Sequence, residues 1–146
     1  MNTKEKGNLG EMLVMTEFTK MGYNISVPLG DNHSYDFIAE KDGKCFKVQC
    51  KYTDSKNGII KVRCGSTVTK LKGGKNEFRR YNSDNVDILV IYDSMTNKCY
   101  CISPENFKTI LQLRTRPARN GQQKLINHAE NYALVAQSVE QLLGKE

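Results

Sequence analysis

Apolar and polar positions recur along this chain with two different periods. From 4 to 21 the apolar residues return every three or four positions and the run closes at Gly22, which predicts a helix. After it the period shortens. The stretches YNISVPL (23–29), SYDFIAEKDGKCFKVQCKYT (34–53) and GIIKVRC (58–64) are rich in β-branched and aromatic residues between turn signals and predict strands. VDILVIYD (86–93) is nearly continuously apolar, as a strand covered on both faces should be, and KCYCIS (98–103) reads as its hairpin partner. SPENFKTILQL (103–113) has Ser at an N-cap position, Pro at the first helical position and Phe107, Ile110 and Leu111 at helical spacing, which predicts a second helix. NHAENYALVAQSVEQLL (127–143) predicts a closing helix, with Asn127 and Glu130 spaced as a capping box. Between these lie two aperiodic basic stretches, a long loop at 66–85 with Gly73-Gly74 and a turn-prone segment at 114–126. Helix, strands and helix in this order imply a mixed α/β domain.

Composition adds bounds. A chain of 146 residues is expected to form one domain, 1–146, with a core that needs neither disulfide nor structural metal. Its apolar runs fall short of the roughly 18 residues that cross a bilayer. The start, MNTKEKGNLGE, has charge and glycine where a signal peptide has its apolar stretch, so a soluble, cytoplasmic protein with no membrane partner is expected. The five cysteines, Cys45, Cys50, Cys64, Cys99 and Cys101, lack a C-x-x-C step and read as reduced filler rather than a zinc site. The net charge of +6 matters mainly through its distribution. Between Lys44 and Arg80 eleven basic residues face two acids, and between Lys108 and His128 five face none. Such excess points to a polyanion, and among polyanions to nucleic acid, with a solvated basic surface as the alternative.

One hairpin changes the picture further. If Asp42-Gly43 form its two-residue turn, Asp36 falls opposite Gln49 while Phe37 pairs with Val48 and Ala39 with Phe46 on the other face. Lys51, two residues beyond Gln49, shares that face, so Asp36, Gln49 and Lys51 converge. A half-buried strand that simply carries Lys47, Gln49, Lys51 and Thr53 into water has the same alternation. Glu11 weighs against this plain reading, because it follows i, i+3, i+4, i+7 spacing with Val14, Met15 and Phe18, a face that packs inward. An acid there needs partners or a cation. Two carboxylates, an amide oxygen and a main-chain carbonyl together make a hard oxygen cage of the kind Mg²⁺ accepts, with Lys51 placed to orient or deprotonate a water and to offset charge on a phosphate.

The set Glu11, Asp36 and Gln49-Cys50-Lys51, written D-x12-Q-x-K after a helical Glu, resembles the PD-(D/E)XK nuclease superfamily, which includes type II restriction enzymes and Holliday-junction resolvases. The wider context KGNLGEMLVMTEFTKMGYNISVPLGDNHSYDF, FKVQCKYT, FRRYNSDNVDILVIYDSMTNKCYCISPENF and RPARNGQQKLINHAENYAL resembles its group I intron homing endonuclease branch and covers most of the chain. The resemblance implies a restriction-endonuclease-like core with a mixed central β-sheet flanked by helices. It implies catalytic roles for Glu11, Asp36, Gln49 and Lys51, with Glu11, Asp36, Gln49 and the Cys50 carbonyl holding Mg²⁺, for which Mn²⁺ can substitute. Two departures stand out. Tyr35 occupies the place of the motif proline, and neutral Gln49 replaces an acid, which weakens attraction for the metal.

Double-strand cleavage needs two sites, which a homodimer or homotetramer supplies, on a partly palindromic double-stranded DNA. Lys70, Lys72, Lys75, Arg79 and Arg80 in the basic loop are candidate phosphate contacts. Arg114, Arg116, Arg119, Asn120, Gln122 and Gln123, in a C-terminal segment at about 114–128, are of the types that read base edges, although such residues also serve as surface or capping groups. Lys61 and Arg63 give the 58–64 strand one basic face that could lie beside DNA or simply be wet. Tyr52, Tyr81 and Tyr100 are assigned to packing. His33 and His128 are too isolated to be ligands, though His33, near Asp36, is a candidate phosphate contact. A sequence-specific homing-type endonuclease is the favoured reading. The alternatives are a junction resolvase or restriction-type nuclease, a DNA-binding module that no longer cuts, and, last, an RNA-binding protein.

Overall fold

The computed structural model describes residues 1–68, 73–121 and 126–143. Helix α1 (Thr3–Lys20) begins one residue earlier than its periodicity implies, because Asn2 and Glu5 form a reciprocal cap in which each side chain accepts the other's main-chain N–H at 2.9 Å. The strands that follow are β1 (Asn24–Ser26), β2 (Phe37–Lys41), β3 (Lys44–Thr53), β4 (Ile59–Val62), β5 (Gly65–Val68), β6 (Glu77–Arg80), β7 (Ile88–Asp93), β8 (Lys98–Ile102) and β9 (Leu111–Arg114), and helix α2 (Ala136–Leu143) closes the order.

The central sheet runs β1-β2-β3-β7-β8, with β3 and β7 parallel and the other pairs antiparallel. The β2–β3 register is the predicted one, Phe37 opposite Val48 and Lys41 opposite Lys44, across a turn in which Asp42 (φ 53°) and Gly43 (φ 77°) are both left-handed. β7 is buried at every position, which explains its unbroken apolar run. One core lies between the sheet and α1, built on Val14, Phe18, Phe37, Val48, Ile88 and Val90. The other lies on the opposite face, built on Ile60, Leu89, Ile91, Ile102, Leu111 and Leu113. At Gly10 the helix comes close to β3, where an added Cβ would sit 3.3 Å from the Cβ of Tyr52. That approach carries Glu11 to the end of β2.

Three expectations fail. The second helix does not form: Pro104–Asn106 is a single 3-10 turn, and Leu111–Arg114 is the strand β9, paired antiparallel with β4. Leu111 and Leu113 are buried while Gln112 is exposed, so a period of two overrides the helical spacing once β4 offers an open edge. The 66–85 stretch is no mere loop, since β5 and β6 pair in it from Gly65–Arg80 to Val68–Glu77. The closing helix is short. Residues Ala129–Tyr132 form a 3-10 turn without a side-chain cap, so Asn127 and Glu130 make no capping box, and α2 starts only at Ala136. All five cysteines are free. Among the described residues no helix is long and apolar enough to cross a membrane.

Candidate active site

The site arises where β2 ends while β3 continues. Asp36 is the last residue to pair, its N–H donating to the Val48 carbonyl at 2.8 Å. The next N–H on that edge of β3, from Cys50, has no strand partner and donates instead to Asp36 Oδ2 at 2.7 Å. Strand alternation puts the Cys50 side chain in the α1-side core and points Gln49 and Lys51 to the other face of β3. Glu11 reaches Asp36 from α1, and the two carboxyl groups share a hydrogen bond.

Electrostatics at this pair are unfavourable for two full charges. Burial, and then the Asp36 charge beside it, push Glu11 up to about 7. Burial also raises Asp36, against the opposing pull of the Cys50 N–H, Glu11 and Lys51. Burial lowers the Lys51 ammonium, with Asp36 opposing. That ammonium donates to the Gly65 carbonyl at 3.0 Å and lies 5.5 Å from the centre of the Tyr81 ring. Gln49 lies between Asp36 and Tyr81. In one orientation its amide nitrogen donates to the Ser34 carbonyl at 2.8 Å and to Asp36 Oδ2 at 3.1 Å, and its oxygen accepts from the Tyr81 hydroxyl at 3.2 Å. In the opposite orientation the amide oxygen faces the Ser34 carbonyl and the Asp36 carboxylate with no donor between them.

The donor set fits a hard divalent cation: two carboxylates that repel one another, an amide oxygen able to face them, and the free edge of β3 at Cys50. Among the described residues no three His, Cys, Asp or Glu side chains gather as metal ligands, because this set draws on an amide and on the main chain instead. Next to it is a cavity of about 350 Å³ lined by Glu11, Pro28, Asp31, His33, Tyr35 and Asp36.

Residues 1–135 match the PD-(D/E)XK endonucleases. The chain belongs to that family. PD-(D/E)XK endonucleases act on DNA and typically use divalent metal ions. Protein 5.3 of Escherichia phage T7 is 32% identical over 85 residues, covering 58% of this chain and 68% of that relative. The structure of a bacterial homing endonuclease, I-Ssp6803I, superposes with a TM-score of 0.77, covering 99% of this chain and 95% of the other at 23% identity. The fold is therefore restriction-endonuclease-like, a mixed sheet flanked by helices.

The basic candidates of this PD-(D/E)XK endonuclease fall into two groups on the ribbons outside the main sheet. Lys61 is exposed on β4, directly opposite Gln112 on β9, and Arg114, Arg116, Arg119 and Asn120 line a cavity of about 610 Å³ at the end of that ribbon. The stem of Arg116 lies over Gly58, where an added Cβ would meet its Cγ at 2.4 Å. Arg63 follows β4 with its guanidinium 4.3 Å from the Phe78 ring centre, and Lys75, Arg79 and Arg80 are exposed on or just before β6. Lys70, Lys72, Gln122 and Gln123 lie outside the described residues. Sequence reasoning missed two residues. Tyr81 belongs to the site as well as to the core, and nothing in its local pattern distinguishes the two. Gln112 was concealed by the helical reading of 103–113; alternation between Leu111 and Leu113 was the available signal.

Proposed function

We propose that this chain is a metal-dependent, sequence-specific double-stranded DNA endonuclease of the homing type, a single PD-(D/E)XK domain acting as a homodimer or homotetramer. The observation that carries it is the meeting of Glu11 and Asp36 beside Gln49 and Lys51, at a strand edge where two carboxylates are held against their mutual repulsion. Structures tolerate such pairs where the charges serve a reaction or a ligand. Glu11, Asp36, the Gln49 oxygen and the Cys50 carbonyl would hold Mg²⁺, or Mn²⁺ in its place. The bound ion supplies Lewis-acid polarisation of the phosphodiester. Lys51, with its proton loosened by burial, orients the attacking water and faces the charge that builds on the phosphate.

DNA is held on the two ribbons. The antiparallel β4–β9 pair buries Ile60, Val62, Leu111 and Leu113 and turns Lys61, Gln112 and Arg114 outward, a shape and chemistry suited to the major groove. Arg116, Arg119 and Asn120 extend this surface, and Arg63, Lys75, Arg79 and Arg80 on the β5–β6 arm neutralise phosphates. The Lys51 bond to Gly65 at the root of β5 ties this arm to the site.

The test is cleavage of a DNA library carrying many candidate sites, in Mg²⁺ and in EDTA, by the native chain and by Lys51→Ala. Metal-dependent double-strand cuts at one long, rare sequence, lost in the variant, support the reading. Cutting of branched junctions without sequence requirement moves it to a resolvase, and DNA binding without cutting in either metal moves it to a binding module.

A further inference from the structure

A carboxylate has two equivalent oxygens and an amide has one, so a glutamine in an oxygen cage must be turned the right way round. At Gln49 both orientations are on offer. With its nitrogen toward Asp36 the amide is fully hydrogen bonded, and with its oxygen toward Asp36 it faces only acceptors. At the far end of the amide the Tyr81 hydroxyl, 3.2 Å away, donates to the oxygen when the oxygen points there, and the Cys50 carbonyl accepts from the nitrogen at 3.4 Å when the nitrogen does. The Tyr81 hydroxyl thus favours the orientation with the nitrogen toward Asp36, the one that a cation must undo.

Tyr81 is built to stay in place. It is 4% exposed, its N–H donates to the Cys64 carbonyl at 2.8 Å, and its ring meets Phe107 edge-on at 6.5 Å. Its ring lies under the Lys51 ammonium.

We propose that Tyr81 is a positioning residue: its hydroxyl donates to the Gln49 amide oxygen when the divalent cation is absent, and binding the cation turns that oxygen toward Asp36 against this bond, with the amide nitrogen passing to the Cys50 carbonyl. The inference rests on the metal-dependent nuclease reading. Its consequence is specific to glutamine, because a carboxylate needs no such orientation.

The experiment compares Tyr81→Phe in the native chain and in the Gln49→Glu background, reading Mg²⁺ binding by calorimetry alongside cleavage, with thermal melting without Mg²⁺ to verify folding. In the native background the variant should tighten Mg²⁺ binding about fivefold, because the one neutral hydrogen bond that opposes turning the amide is gone. In the Gln49→Glu background it should leave Mg²⁺ binding unchanged or slightly tighter, since the carboxylate is then relieved of a competing donor. Weakening in both backgrounds would assign Tyr81 to packing and overturn the proposal, as would unchanged Mg²⁺ binding in the native chain. In the native chain itself, Mg²⁺ should shift the Gln49 side-chain amide resonances; unmoved resonances at saturating Mg²⁺ likewise overturn it. A native chain that neither binds Mg²⁺ nor cuts removes the nuclease reading together with this one, whereas with a native chain that does both, the Tyr81→Phe comparison tests the role of Tyr81 alone.

Discussion

The carboxyl of Glu11, on helix α1, hydrogen bonds the carboxyl of Asp36, at the end of β2, although the two residues belong to different layers of the fold. The folded, metal-free chain therefore keeps the Glu11 proton up to about pH 7, whereas an ordinary glutamate releases it near 4.5. Between those values the folded state binds the extra proton, so metal-free stability should decline as pH rises through this window. The raised Asp36 acts in the same direction. Glu11→Gln should flatten the decline, and melting curves from pH 4 to 8 would reveal a slope that persists if Glu11 is not its source.

The same proton opposes metal binding. Because both carboxylates must ionise to hold a cation, Mg²⁺ affinity should fall about tenfold per pH unit below about 7 and level off above it. Calorimetry at a series of pH values, in buffers of different ionisation enthalpy, counts the proton released. A pH-independent affinity would remove Glu11 from the ligand set.

Lys51 and Asp36 act together in the proposed chemistry. Lys51→Ala and Asp36→Asn should each reduce cleavage by at least about a hundredfold while leaving target binding nearly intact. Gel-shift and cleavage assays on the same DNA separate the two effects, and a variant that cuts at the native rate would exclude that residue from the reaction.

On and just beyond the β4–β9 ribbon, Gln112→Ala and Arg119→Ala should relax preference at individual base pairs by about 1–3 kcal/mol each if they read base edges. Replacing Lys75 should weaken all sequences alike and lower the salt dependence of binding by about one counterion. Uniform weakening by Arg119→Ala would reassign it to phosphate.

Gly65 lies where β5 and β6 come closest, with an added Cβ 2.3 Å from the Arg79 carbonyl oxygen and 2.5 Å from the Phe78 ring. Gly65→Ala must push main chain apart and should cost about 1–3 kcal/mol in denaturant unfolding. Since the Gly65 carbonyl accepts from Lys51, the variant should also slow cutting more than it weakens DNA binding.

Much of this molecule follows from local pattern. The Asp42-Gly43 turn and the alternation of Phe37, Ala39, Phe46 and Val48 determine the hairpin register, and with it the approach of Asp36 to Gln49 and Lys51. The period of α1 determines that Glu11 faces inward. These are short-range consequences of turn geometry and side-chain spacing, so Glu11, Asp36, Gln49 and Lys51 can be picked out as candidates from the chain alone. The tertiary structure decided what local spacing leaves open. Leu111 and Leu113 fit a helix or a strand until β4 presents unpaired main-chain groups, and the strand then wins because it satisfies both edges. Tyr81 has the same apolar neighbours whether it only packs or also reaches Gln49. Only the folding of β6 against β5, remote in sequence from β3, brings its hydroxyl to the amide and its ring beneath Lys51.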